Sequence, residues 1–281
     1  MARESKYDEI GYWSEIKLDI IKDYAAAYSR ILSSQKNPNF YHIYIDAFAG
    51  AGKHISKKTG TSVLGSPMNA LHVEPPFREY HFIDLDKQKI SSLEEIAGSR
   101  QDVRIYHGDC NLVLLEEVLP NAEYKDYRRV LCILDPYGLD LNWEVIYTVG
   151  RMKSVDIFLN FPVADINRNV LWRKPEGVSA AQIERMNQFW GDESWRQEAY
   201  VPSPQIKLFG ETEELKTSNE VIAEAFRKRL EKKAGFRNVP EPIAMRNTQN
   251  AVVYYLFFAS HKPVAEGIVK DIFKKYKNRR G

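Results

Sequence analysis

Four short motifs in the first half of the chain combine carboxylates, glycines and an aromatic in a way that could hold a nucleotide-like ligand and move a small group. The first is Asp46-Ala47-Phe48-Ala49-Gly50-Ala51-Gly52, directly after an apolar run. Gly50 and Gly52 let the backbone turn tightly and approach a ligand closely. Asp46 can accept hydrogen bonds from an ammonium group such as that of S-adenosylmethionine, and Phe48 belongs to the same loop. The second is Phe82-Ile83-Asp84-Leu85-Asp86. An acid at the end of a second strand can take both ribose hydroxyls. Asp84 fits that role because it ends the apolar run, while Asp86 reads as the N-cap of the next helix. The third is Tyr106-His107-Gly108-Asp109-Cys110, where Asp109 either accepts from an adenine amino group or caps the helix that follows. Asp109 and Cys110 complete the cofactor set. The fourth is Leu134-Asp135-Pro136-Tyr137-Gly138. A carboxylate there can hydrogen-bond a target amino group, and an aromatic can stack on a flipped base. Asp135, Pro136 and Tyr137 are therefore the catalytic candidates; the alternative is a plain Pro-Tyr-Gly turn.

Neighbouring ligand chemistries fail on detail. A dinucleotide fingerprint needs a third glycine where Ile55 stands. A phosphate loop needs glycine at Ala47, and Ser or Thr where His54 follows Lys53. His42, His54, His72, His81, His107 and His261 show no metal-ligand spacing, so no metal is expected.

These motifs must be positioned by regular elements, and the hydrophobic pattern supplies them. Trp13 to Ser33 carries apolar residues at helical spacing. Apolar strand-like runs at Tyr41–Asp46, Tyr80–Asp84, Val103–Tyr106, Arg129–Leu134 and Val155–Phe161 then alternate with helical stretches. Ser66-Pro67 reads as the cap and first turn of one of these, after a loop. This rhythm implies a parallel sheet with right-handed crossovers. Ile243–Asn247 and Ala251–Ser260 read as a closing antiparallel pair. The expected fold is α/β: a doubly wound, mostly parallel sheet of seven strands with an antiparallel terminal strand, like the Rossmann-type class I methyltransferases. Residues 1–163 and 239–281 would form this core. Residues 164–238 would be an inserted, mainly helical lobe overhanging the ligand crevice beside Asp135. Within it, Trp190 and Trp195 read as lobe core rather than a stacking platform. Asn160-Phe161-Pro162 could add a polar and aromatic pair to the same crevice, but reads more simply as a strand end stopped by proline.

Composition bounds the rest. With 44% hydrophobic and 28% charged residues the chain is globular rather than disordered. It has no apolar run of membrane-spanning length and no secretory signal, and its two cysteines cannot build a disulfide framework, so a cytoplasmic location is expected. A net charge of +2 argues against wholesale nucleic-acid coating, although Lys53–Lys58 and Lys270–Arg280 are locally basic.

Most of the chain resembles the three-Cys-motif partner proteins, TcmP. The resemblance runs over the Tyr12–Tyr24 helix, Asp46-x-Phe48-x-Gly50-x-Gly52, Gly65-Ser66-Pro67, Asp84-x-Asp86, Gly108-Asp109, Asp135-Pro136-Tyr137-Gly138 and Asn160-Phe161-Pro162. It implies a methyltransferase-like protein paired with a separate protein that carries three cysteines. One departure stands out. Amino methyltransferases acting on adenine or cytosine usually carry Asp/Asn-Pro-Pro-Tyr/Phe after the fourth strand, and here the second proline is absent. Two functions are expected: an S-adenosylmethionine-dependent methyltransferase acting on a nitrogen of a nucleic-acid base, or a non-catalytic docking subunit for the three-cysteine partner.

Overall fold

The computed structural model describes residues 7–206 and 212–277. Met1–Lys6 and the terminal arginines Arg279 and Arg280 lie outside the described residues. In chain order the elements are β1 (Glu9–Ile10), α1 (Tyr12–Ser33), β2 (Tyr41–Asp46), β3 (Lys53–Ser56), β4 (Ser62–Leu64), α2 (Ser66–Leu71), β5 (Glu79–Asp84), α3 (Lys87–Ala97), β6 (Val103–His107), α4 (Cys110–Val113), β7 (Arg128–Leu134), α5 (Trp143–Met152) and β8 (Val155–Phe161). There follow α6 (Val163–Asn169), α7 (Ala180–Trp190), α8 (Trp195–Ala199), β9 (Tyr200–Ile206), β10 (Thr212–Lys216), α9 (Asn219–Arg229), β11 (Ile243–Arg246), β12 (Val252–Ala259) and α10 (Pro263–Tyr276).

Seven strands make the main sheet, in the order β11-β12-β8-β7-β2-β5-β6. From β8 to β6 all neighbours are parallel, and β12 runs antiparallel to both β8 and β11. The expected mostly parallel, doubly wound sheet with its antiparallel closing pair is thus present. The central strands are buried on both faces, β8 along its whole length, which is why they read as continuous apolar runs rather than alternating ones. One apolar layer, including Tyr44, Phe82, Leu131, Ile133 and Phe158, packs under α1, α2 and α10. The opposite layer, including Ile45, Ile83, Cys132 and Leu159, packs under α4 and α5.

Four local expectations are corrected. Lys53 to Leu64 is not a loop but the hairpin β3–β4, and β1 joins it in parallel to form a three-stranded sheet. Helix α2 is capped by Gly65 rather than Ser66, which stands one residue inside. The helix after β6 is a single α-turn that continues as a π-turn over Leu114–Val118. The inserted segment also carries an antiparallel hairpin, β9–β10, besides its helices.

Among the described residues, the core of the inserted segment is continuous with that of the sheet. Met186, Phe189, Trp190, Trp195 and Phe226 belong to the same apolar cluster as the strand residues Ile157, Leu159 and Phe161. Trp190 and Trp195 are buried, as expected, with indole N–H groups donating to Ser194 Oγ (3.0 Å) and Asn187 Oδ1 (2.7 Å). Close packing is visible at Gly150 of α5, where a β-carbon would lie 2.3 Å from the carbonyl oxygen of Ala234.

Candidate functional site

The motifs meet at the C-terminal edge of β6, β5, β2, β7 and β8, where a doubly wound sheet holds its ligands. The turn after β2 places Gly50 at φ +65° and Gly52 at φ +78°, the left-handed region that favours glycine. A β-carbon on Gly52 would sit 2.7 Å from Ile96. Gly65 ties into this turn by donating its N–H to the Gly52 carbonyl at 2.8 Å. Gly65-Ser66-Pro67 therefore braces the glycine loop.

Asp46 ends β2 with no exposed surface. Its Oδ1 accepts the Phe48 N–H at 3.3 Å, and its Oδ2 is buried without a partner. Burial pushes its carboxyl up to about 7; the nearby Ser66 hydroxyl and the Phe48 N–H pull the other way, and Asp135 and Asp84 add repulsion. The unfolded carboxyl titrates near the ordinary 3.8. Between that pH and about 7 the folded chain keeps a proton that the unfolded chain has lost, so stability falls as pH rises through this window. One pKa unit corresponds to about 1.4 kcal/mol. Asp46→Asn should therefore gain about 2–3 kcal/mol on wild type as pH rises from 5 to 8 in urea melts. Parallel stability curves for the two proteins would show that Asp46 is ionised when folded.

Asp84 closes β5. Its Oδ2 accepts the Gly50 N–H at 2.8 Å and its Oδ1 the Asp86 N–H at 2.9 Å, so it locks the glycine loop onto the neighbouring strand. A carboxylate has about four acceptor positions, which leaves two for ribose hydroxyls. Asp86 caps α3 as expected, accepting from the Gln88 and Lys89 N–H groups. Asp109 caps α4: its Oδ1 accepts from both the backbone and side-chain N–H of Asn111, at 2.8 and 2.9 Å. Cys110 packs in the core layer under α4 with its thiol pushed up to about 12 by burial. Leu85, 73% exposed, and Leu112 offer apolar side chains beside Asp84 and Asp109, while Phe48 is half-buried against the core.

After β7, Asp135 forms an ion pair with the buried Lys17 of α1, whose ammonium also lies 5.1 Å from the Tyr254 ring centroid. Lys17 takes Asp135 Oδ2; Oδ1 is buried without a partner. The Pro136 carbonyl accepts from Asn160 Nδ2 at 3.0 Å. Tyr137 is 71% exposed and donates to Asp8 at 3.3 Å, and Lys89 reaches the same Asp8 at 2.8 Å. Asp8, the residue before β1, thereby bridges α3 and the Asp135–Gly138 loop. The inserted segment approaches this loop from the far side. Arg185 pairs with Asp140 at 3.0 Å, and Asp165 Oδ2 lies 3.1 Å from where a β-carbon on Gly138 would stand.

Several contributors were not singled out from the sequence. Lys17, Asn111, Asp165 and His54 are the main ones. Asn111 ties two crevice loops together, donating to the Asp140 carbonyl at 3.0 Å and accepting from the Asn142 N–H at 2.7 Å. His54 sits beside Gly50 and Gly65, its Nδ1 buried without a partner and its pKa lowered by burial. Among the described residues no three His, Cys, Asp or Glu side chains cluster as metal ligands, and no helix is long and apolar enough to cross a membrane.

Five parallel strands with helices on both faces, closed by an antiparallel pair, define a class I methyltransferase-like fold. Solved structures similar to the chain include a Legionella pneumophila protein of the DUF519 family model, at 10% identity and a TM-score of 0.47, with 92% of each chain covered. A Listeria monocytogenes protein provisionally described as an S-adenosylmethionine-dependent methyltransferase matches at 14% identity and a TM-score of 0.42, over 85% of this chain and 98% of that one. A Thermobifida fusca protein provisionally described as a methyltransferase matches at 12% identity and a TM-score of 0.41, over 87% and 81%. No family model and no curated protein matches the chain.

Proposed function

We propose that the chain is an S-adenosylmethionine-dependent methyltransferase that modifies a nitrogen of a nucleic-acid base, working beside a three-Cys-motif partner protein. The observation that carries the reading is the set of carboxylates Asp46, Asp84 and Asp109 at the ends of three adjacent strands, one of them holding a buried oxygen with no partner. That oxygen on Asp46 suits the cofactor's ammonium group. Asp84 suits the ribose, and Asp109 with the exposed Leu85 and Leu112 suits the adenine. S-adenosylmethionine supplies a methyl group already activated on a sulfonium, so a neutral nitrogen nucleophile needs positioning more than strong base catalysis. Asp135 provides a carboxylate oxygen for the acceptor, and the exposed ring of Tyr137 offers a flat face for a base. Lys53, Lys57 and Lys58, on the β3–β4 hairpin that extends the glycine loop, bring positive charge toward a polyanionic acceptor. The three-cysteine partner is proposed on the motif resemblance alone.

Isothermal calorimetry with S-adenosylmethionine and S-adenosylhomocysteine tests the crevice. Asp84→Ala should weaken both by about 1–3 kcal/mol, the cost of losing a charged acceptor that also anchors the glycine loop. Equal affinities for variant and wild type would remove Asp84 from the cofactor site.

The docking-subunit reading has its own support: Lys17 already engages Asp135, and Asp8 already engages Tyr137. On that reading the loop is braced from within, and wild type transfers no methyl group with or without the partner.

A further inference from the structure

Unsatisfied buried oxygens gather around the Asp135–Gly138 loop. They are Asp135 Oδ1, Asn160 Oδ1 and Asp165 Oδ2. The parallel register of β7 and β8 sets Leu134 beside Leu159, so Asp135 and Asn160 are the next lateral neighbours at the strand ends. Both side chains fall on the α1 face. Ile133 and Phe158, two residues earlier on each strand, pack in the layer beneath α1, and alternate strand residues share a face. Asn160 is only 8% exposed. Its Nδ2 donates to the Pro136 carbonyl, which fixes the amide's orientation and leaves Oδ1 as the end without a partner.

The donors in contact with the loop are engaged, while the buried Tyr44 hydroxyl, on the same α1 face, has no partner. Lys17 holds the other oxygen of Asp135, Arg185 pairs with Asp140 and Gln182, and Asn169 donates to Asp165 Oδ1. The loop thus presents acceptors to whatever completes it, and buried acceptors left unpaired cost free energy.

We infer that Asp135 and Asn160 together bind a primary amino group of the acceptor, each oxygen taking one N–H. The substrate class is then an exocyclic amine on a planar ring. A hydroxyl or thiol has one hydrogen and would leave one oxygen unpaired. A ring nitrogen or carbon nucleophile offers neither oxygen a donor. The assignment rests on the methyltransferase reading and names its acceptor. In the transfer, the nitrogen lone pair forms the N–C bond as the C–S bond breaks, with the bonding pair leaving on sulfur. The nitrogen then sheds one proton, and Asp135 Oδ1 is the base in contact that takes it and passes it to solvent.

Sinefungin provides a probe that needs no acceptor and no turnover, because it carries an amine where S-adenosylmethionine carries its sulfonium methyl. Its affinity is compared by calorimetry with that of S-adenosylhomocysteine, which lacks that amine. Wild type should prefer sinefungin. Asn160→Leu should lose about tenfold of that preference with S-adenosylhomocysteine affinity unchanged. Asn160→Ala removes the same oxygen without the bulk of leucine, so it should lose a similar share of the preference even if the leucine variant folds poorly. An unchanged ratio in either variant overturns the amine assignment while leaving the cofactor site intact. Failure of wild type to bind either compound overturns the methyltransferase reading itself, and this assignment with it.

Discussion

Phe226→Ala should lose about 3–5 kcal/mol of stability, the usual cost of deleting a fully buried aromatic ring. Phe226 lies on α9 of the inserted segment, yet its ring meets both halves of the molecule. It stacks on Phe189 with centroids 5.5 Å apart and planes at 14°, and lies 5.4 Å from Trp190. From the sheet it meets Phe161 at 4.8 Å and Phe257 at 5.5 Å, and from α5 Trp143 at 6.2 Å. No nearby side chain is free to collapse into the space, because the surrounding rings are themselves packed in the core. Marginal stability of domains makes such a loss a large share of the total. Urea unfolding followed by both tryptophan fluorescence and far-ultraviolet circular dichroism checks it. A single transition shifted to lower urea is expected. Two separated transitions, with the sheet intact after the first, would show that the inserted segment unfolds as a unit of its own.

If the chain is the proposed methyltransferase, Asp135→Ala should abolish methyl transfer while sparing most of the cofactor affinity. It should also destabilise the chain by about 2 kcal/mol, because Lys17 is left buried without its carboxylate. The ion pair is only partly screened: the lysine side chain is 10% exposed and the aspartate 27%. The two effects separate in a double replacement. Lys17→Met with Asp135→Leu removes both charges and should recover most of the lost stability without recovering transfer. The measurements are thermal melts and incorporation of radiolabelled methyl groups into total nucleic acid, with and without the proposed three-cysteine partner. Transfer that survives Asp135→Ala would keep the enzyme and remove this residue from its catalytic site. Wild type that binds cofactor yet never transfers favours the docking subunit.

Much of this architecture was legible in the residues. Four of the five parallel strands, β2, β5, β7 and β8, are largely buried on both faces, so each shows as an apolar run with a carboxylate or a proline at its end. Asp46, Asp84, Asp109 and Asp135 fall at four of the five strand ends, which is why their spacing pointed to one crevice. The hairpin Lys53–Leu64 stayed hidden for a physical reason. Its strands are short and rich in lysine and serine, and the parallel neighbour that completes them, Glu9–Ile10, lies before α1. Lys17 was hidden too, since a lysine on an amphipathic helix ordinarily points to water and its partner lies 118 residues away. Asn160 before Phe161-Pro162 read more readily as a strand end than as a crevice residue; its bond to Pro136 depends on the lateral register of two strands, which no local pattern encodes. The aromatic cluster around Phe226 likewise joins residues that only the finished sheet brings together.

Both cysteines of the chain, Cys110 and Cys132, are buried, and burial raises both thiols. The thiolate is the reactive form, so the folded chain presents no ready nucleophile of this kind to alkylating or oxidising reagents. Thiol-directed labels are in effect blind to it. In a mixture with a partner rich in cysteine, every fast-reacting thiol would report on the partner, and slow labelling of Cys110 or Cys132 would instead count the openings of this chain's own core.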